Sequence, residues 1–210
     1  MRRTVIPAAA LCIISGLLLG VGWAAAASVD SLTEYFPLAP GTAWIFRTNT
    51  HGEIVMRVGE TARVGSHDCR MVETIVGGNT TQRECYRVTA EGVYAHQRTY
   101  PAGSVTLSPP QRMLATPVIV GETWQWKGRI DNQPITMNFT WARREATTVP
   151  AGTYQTMQLY FVGQLGGGVR IQSWRWFAPG IGMVKEDSVI TQGTQTIRIY
   201  AELVRVATSK

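Results

Sequence analysis

A guanidinium set between two indoles, Trp174-Arg175-Trp176, is the segment of this chain best equipped to hold a ligand. In an extended strand the indoles share one face with Arg170 and Gln172, while Arg175 shares the other with Ile171, Ser173 and Phe177. Neither face is cleanly polar, so one of them is expected to line a cavity. Aromatic walls carrying a few polar groups suit an apolar or amphipathic molecule. Phe139 and Trp141, on a second alternating segment, complete the candidate binding set of Trp174, Trp176, Arg175, Trp141 and Phe139. The competing reading is that these rings fill a core.

Residue patterns that would signal catalysis are missing. There is no Gly-x-Ser-x-Gly to form a nucleophile elbow, and His51, His67 and His96 all precede residue 97. Gly166-Gly167-Gly168 is not followed by Gly-Lys-Ser/Thr and reads as a hairpin turn, not a phosphate loop. Glu186 and Asp187 are adjacent on an expected strand, so they point to opposite faces, cannot act as a carboxylate pair, and read as solvated charge. These observations predict a protein that is not an enzyme and needs no cofactor.

Two cysteines, Cys69 and Cys85, lie beyond the N-terminal leader. The segments around them flank Gly77-Gly78-Asn79, and the midpoint between the cysteines falls at residue 77. A hairpin turning there places them nearly opposite each other, about 4.5–5.5 Å apart at Cα, within disulfide reach. A metal site is the competing reading, because His67 shares a strand face with Cys69 and His96 is near in sequence. No Cys-x-x-Cys or His-x-x-x-His spacing supports zinc, and an oxidising compartment favours the disulfide.

That compartment follows from the N-terminus. Arg2 and Arg3 precede an apolar run from Ala8 to Trp23, and Ala24–Ala27 supplies small residues for cleavage. The run is shorter than the roughly 20 residues that a spanning helix needs. Residues 1–27 are therefore expected to be a signal peptide, and 28–210 a single periplasmic or extracellular domain that does not span the membrane. Losing both leader arginines lowers the formal net charge from +6 to +4. The remaining basic residues are scattered, which argues against nucleic acid as a partner.

The elements expected to position these residues are almost all strands. Ser31-Leu-Thr-Glu34 is a capping-box pattern that predicts one short helix at 31–36. Strands are expected near 42–50, 53–64, 67–76, 81–89 and 92–98, then near 122–131, 134–144, 153–163, 168–178, 182–191 and 194–206. Ile135, Met137, Phe139 and Trp141 alternate with polar neighbours, as a sheet with one apolar face requires. The frame Pro-x-x-x-Gly-x-x-Trp-x-aromatic-basic occurs at Pro37–Arg47 and again at Pro117–Lys127, which suggests repeats at about 37–98 and 117–206. Between them, 99–121 carries Pro101, Pro109, Pro110 and Pro117 and reads as a connector or flap. The expected fold is all-β and antiparallel: a strongly curved sheet or half-barrel of about eleven strands, with a closed barrel also compatible.

Pro37-x-x-x-Gly41-x-x-Trp44, Val149-Pro-Ala-Gly-Thr-Tyr154 and Trp176-Phe-Ala-Pro-Gly-Ile-Gly-Met-Val-Lys185 resemble the signatures of uncharacterised exported bacterial proteins of TapB-like type. The strand count is also distantly similar to the LolA/LolB lipoprotein carriers, in which a half-barrel cups acyl chains beneath lid helices. The resemblance implies a carrier of a hydrophobic small molecule or lipid; the alternative is a module that partners an envelope protein in surface assembly. It brings no catalytic residue. This chain has only one short helix where the carriers have several.

Overall fold

The computed structural model describes residues 31–130 and 133–208. The expected leader and its cleavage site lie outside the described residues. A four-residue helix, α1 (Leu32–Tyr35), is followed by β1 (Thr42–Thr48), β2 (Gly52–Val64), β3 (His67–Val76), β4 (Asn79–Val88), β5 (Gly92–Tyr100) and β6 (Gly103–Ala115). The second half comprises β7 (Thr123–Ile130), β8 (Gln133–Val149), β9 (Gly152–Leu165), β10 (Val169–Ala178), β11 (Gly182–Gln192) and β12 (Gln195–Thr208). Each strand pairs antiparallel with its sequence neighbours, and β1 pairs with β12, so the sheet closes into a twelve-stranded barrel.

The half-barrel of eleven strands is therefore corrected on two counts, and with it the open acyl-cupping shape. The first and last strands meet through seven Cα pairs, from Thr42↔Thr208 to Thr48↔Ala201, which removes both free edges. The twelfth strand is β6, inside the proline-rich stretch read as a connector. Pro109 and Pro110 have no N–H to give, which usually argues against an interior strand. Here the β6–β7 seam runs through a single Cα pair, Ser108↔Arg129, so little ladder is lost. Indoles serve the carbonyls instead. Trp124 Nε1 donates to Arg112 O at 3.0 Å, Trp126 Nε1 to Pro109 O at 3.1 Å, and Trp141 Nε1 to Ala115 O at 3.0 Å.

Both copies of the duplicated frame start a strand from a left-handed glycine, Gly41 at φ 80° and Gly121 at φ 93°, a conformation that favours glycine. They open β1 and β7, six places apart around the ring of twelve. The capping box does not form: Ser31 makes no side-chain cap, and its hydroxyl meets the Thr33 hydroxyl at 2.7 Å. The helix is held by tertiary contacts, because Leu32 and Tyr35 are buried. Tyr35 packs on Trp141 at 6.3 Å, Phe36 on Tyr86 at 4.9 Å, and Arg144 Nη1 donates to the Tyr35 hydroxyl at 3.2 Å. Together these contacts close the end of the barrel where β1 begins.

Ion pairs cross strands on the outer face. Arg57 and Arg83 grip Glu73 at 2.7 and 2.9 Å, and Arg198 grips Asp187 at 2.5 Å. The two Glu73 arginines, through hydrogen bonds above all, hold its carboxyl below the usual range. Such ion pairs on the outer face are unlike the apolar lipid-facing band of a membrane-spanning barrel. No helix among the described residues is long and apolar enough to cross a membrane.

Candidate functional site: the barrel interior

Alternation decides what each strand sends inward. On β10 the inward set is Ile171, Ser173, Arg175 and Phe177; Ser173 and Phe177 are buried, and Ile171, Arg175 and Phe177 line an interior cavity of about 370 Å³. On β4 the inward set is Gln82, Glu84 and Tyr86, and on β11 it includes Glu186. The cavity runs from Phe36 and Phe177, near the α1 end, toward Ile54, Ile130 and Tyr100, near the opposite strand ends. Tyr100 is exposed there.

A charged belt crosses this apolar interior. Glu84 accepts from Arg98 Nε and from the Tyr86 hydroxyl, both at 2.7 Å, and Arg98 Nη2 also donates to Gln111 Oε1 at 2.7 Å. Burial, reinforced by the Glu84 charge, pushes the Tyr86 phenol well above its ordinary value, so it stays a donor. Arg175 Nη2 donates to Glu186 Oε1 at 3.0 Å, and the Ser188 hydroxyl donates to the same oxygen at 2.7 Å. The Arg175 guanidinium also lies 5.1 Å from the centre of the Phe161 ring. Burial pulls both arginines down, but Glu84 beside Arg98 and Glu186 beside Arg175 outweigh it, so both end higher and remain charged.

Of the five residues singled out from the sequence, only Arg175 lines the cavity. Trp174 and Trp176 occupy the outer face, because their parity on β10 is opposite to that of Arg175. Trp174 packs on Tyr160 at 5.2 Å. Trp176 Nε1 donates to Glu145 at 2.6 Å, and Lys185 lies 5.4 Å from its ring centre. The face expected to line a cavity is thus that of Arg175, and the two indoles lie outside it. Phe139 and Trp141 are fully buried core residues just outside the cavity: Phe139 stacks on Trp124 at 5.2 Å and touches Phe161 at 5.3 Å, while Trp141 meets Phe177 edge-on at 6.2 Å. Glu186 is not the solvated charge expected; it faces inward, whereas Asp187 faces outward to Arg198.

Cys69 and Cys85 form a disulfide with Cα atoms 5.5 Å apart. They are not directly opposed. A register shift between Thr74 and Ile75 places Cys85 opposite Met71, so the bond runs diagonally across β3 and β4. Both sulfurs are committed to each other, which removes them as zinc ligands. The neighbouring His67 and His96 rings meet at a tilt, with centroids 5.0 Å apart.

No family model and no curated protein matches the chain. Solved structures to which the chain shows a likeness include a candidate lipoprotein from Parabacteroides distasonis, 13% identical, with 82% of this chain and 98% of that one covered at a TM-score of 0.47. A candidate exported protein with a YmcC-like fold from Bacteroides fragilis is also 13% identical, with coverage of 83% and 99% and a TM-score of 0.42. The hypothetical lipoprotein YmcC from Escherichia coli is again 13% identical, with coverage of 81% and 87% and a TM-score of 0.44. Similarity at this level transfers no ligand, activity or location, so the functional reading rests on the cavity.

Sequence reasoning missed Glu84, Arg98, Gln111 and Glu186. The available signal was parity. Glu84 falls in step with Tyr86 on β4, and Glu186 in step with the buried Val184 and Ser188 on β11, each pair sharing a face.

Proposed function

We propose that the mature chain is an exported, non-enzymatic protein that holds an apolar or amphipathic small molecule inside its barrel. The observation that carries this reading is the interior cavity, whose walls are largely methionine, isoleucine, leucine and phenylalanine and whose charged groups form two close pairs. Its volume of about 370 Å³ is near the lower end of ordinary ligand pockets, about 300–1,000 Å³. The charged groups facing it are paired with one another, Glu84 with Arg98 and Glu186 with Arg175. That arrangement favours holding over proton transfer. The leader and the disulfide support an envelope location, periplasmic or extracellular. An envelope protein remains the second partner reading; the exposed pair Ile119 and Val120, at 52% and 49%, offers it a small apolar contact.

The test is uptake of N-phenyl-1-naphthylamine by the purified mature protein, followed by its fluorescence. One probe per chain is expected. Met56→Trp, which places a large ring in the cavity, should remove at least four-fifths of the signal while leaving the far-ultraviolet spectrum unchanged, roughly the effect of filling a site of this size. No uptake by the natural sequence, or equal uptake by the variant, rules out the barrel interior as the binding site.

A further inference from the structure

Arg175 is tied to the cavity by one unmet requirement. Its Nη2 is taken by Glu186 at 3.0 Å, but its Nε is buried and has no hydrogen-bond partner, the one such side-chain nitrogen or oxygen among the described residues. A guanidinium nitrogen can only donate, and a buried donor left without an acceptor is unfavourable. An acceptor oxygen carried by a molecule in the cavity that Arg175 lines would meet that requirement.

Charge balance says what kind of oxygen. Arg98 and Arg175 are offset by Glu84 and Glu186, in two close pairs. A carboxylate or phosphate would bring an extra negative charge beside two glutamates in a poorly solvated interior, and burial disfavours such an uncompensated ion. A neutral carbonyl needs no counter-charge. Position narrows the choice again. Along β10, Ile171 lies on one side of Arg175 and Phe177 on the other, and all three line the cavity. The acceptor thus meets Arg175 part-way along an apolar path, as a carbonyl inside a chain would. The cavity volume of about 370 Å³ suits one chain and not a two-chain lipid, being near the low end of about 300–1,000 Å³. Met56, Met113, Met137 and Met183 in the wall tolerate chains of differing length.

We propose that the ligand is a neutral, single-chain acyl ester or amide whose carbonyl oxygen accepts from Arg175 Nε. The proposal rests on the barrel interior being the binding site. The experiment measures displacement of N-phenyl-1-naphthylamine from the mature protein at pH 8, below micelle concentrations. The competitors are 1-monolauroylglycerol, 1-O-dodecylglycerol, which keeps the chain but lacks the carbonyl, and laurate. The ester is expected to bind about tenfold more tightly than the ether, the effect of one hydrogen bond to a charged donor. Laurate should bind more weakly than the ester. Arg175→Lys keeps a positive charge beside Glu186 but removes Nε–H; it should abolish the ester's advantage over the ether, read as the ratio of the two affinities within the variant. Because the ester–ether comparison uses the unmodified protein, it decides the matter even if Arg175→Lys folds poorly. Equal binding of ester and ether, or laurate binding as tightly as the ester, overturns the proposal while the cavity reading stands. Failure of the probe itself to bind removes both.

Discussion

At the residue scale, the same kind of side chain has opposite roles depending on which face it occupies. Glu186 and Asp187 are neighbours, yet one completes an interior pair with Arg175 and the other an exterior pair with Arg198. This explains why Arg175 was legible in the sequence and Glu84 was not. An arginine among Ile171, Ser173 and Phe177 stands out on an apolar face, whereas Glu84 beside Gln82 looks like a solvent face. Only the barrel's closure shows that this face turns inward. Outside, next to the disulfide, His96 provides a test of the fold's pH dependence. Burial, followed by the neighbouring His67 and Arg87, holds its imidazole below the ordinary 6.5. The fold thus favours the neutral ring. That contribution is complete above pH 6.5, where the unfolded chain's histidine is neutral as well, and is lost as pH falls through the folded-state value. Glu73, Asp187 and Glu202 are all held below the usual carboxylate range, so their contributions fade only at lower pH. The urea midpoint should therefore drop between pH 7.5 and 5.5 in the natural protein and drop less in His96→Gln. Identical drops would assign the effect elsewhere.

At the element scale, eleven strands were legible from the Gly- or Pro-bearing turns between them and, in segments such as 135–141 and 197–203, from apolar residues at every second position. β6 was hidden because prolines that normally exclude a strand sit at a seam that needs almost no ladder from it. What replaces the ladder is three indole N–H donors, and tryptophan identity alone does not announce such a use. Gly128 belongs to the same device: a Cβ there would collide with the Trp126 ring, so glycine lets the indole lie across β7 and reach Pro109. Trp126→Phe keeps most of the buried ring but leaves the Pro109 carbonyl unserved. It is expected to destabilise the protein by about 1–3 kcal/mol, the range for a buried polar group that loses its partner, with the fastest added amide exchange in β6 and β7. Hydrogen exchange that rises evenly around the barrel instead would show that the seam is no weaker than its neighbours.

At the scale of the whole molecule, closure turns twelve modest strands into a container. β12 is the strand that makes it: it pairs with β11 through eight Cα pairs and with β1 through seven. No local pattern revealed this, because the pairing of residues near 42 with residues near 208 depends on the accumulated twist and stagger of all the strands between them. β12 also contributes Ala201 and Leu203 to the core, both buried, and Leu203 O accepts from Ala151 N at 3.0 Å, tying the β8–β9 turn to the far side. A chain ending at Gln192 loses all of this at once and opens one edge each of β1 and β11, ready to pair with another molecule. Such a chain is expected to self-associate in size-exclusion chromatography and to lose both the single cooperative unfolding step and probe uptake. A monomeric truncation that still binds the probe would mean that the first eleven strands already form the container, and that the closing strand serves stability alone.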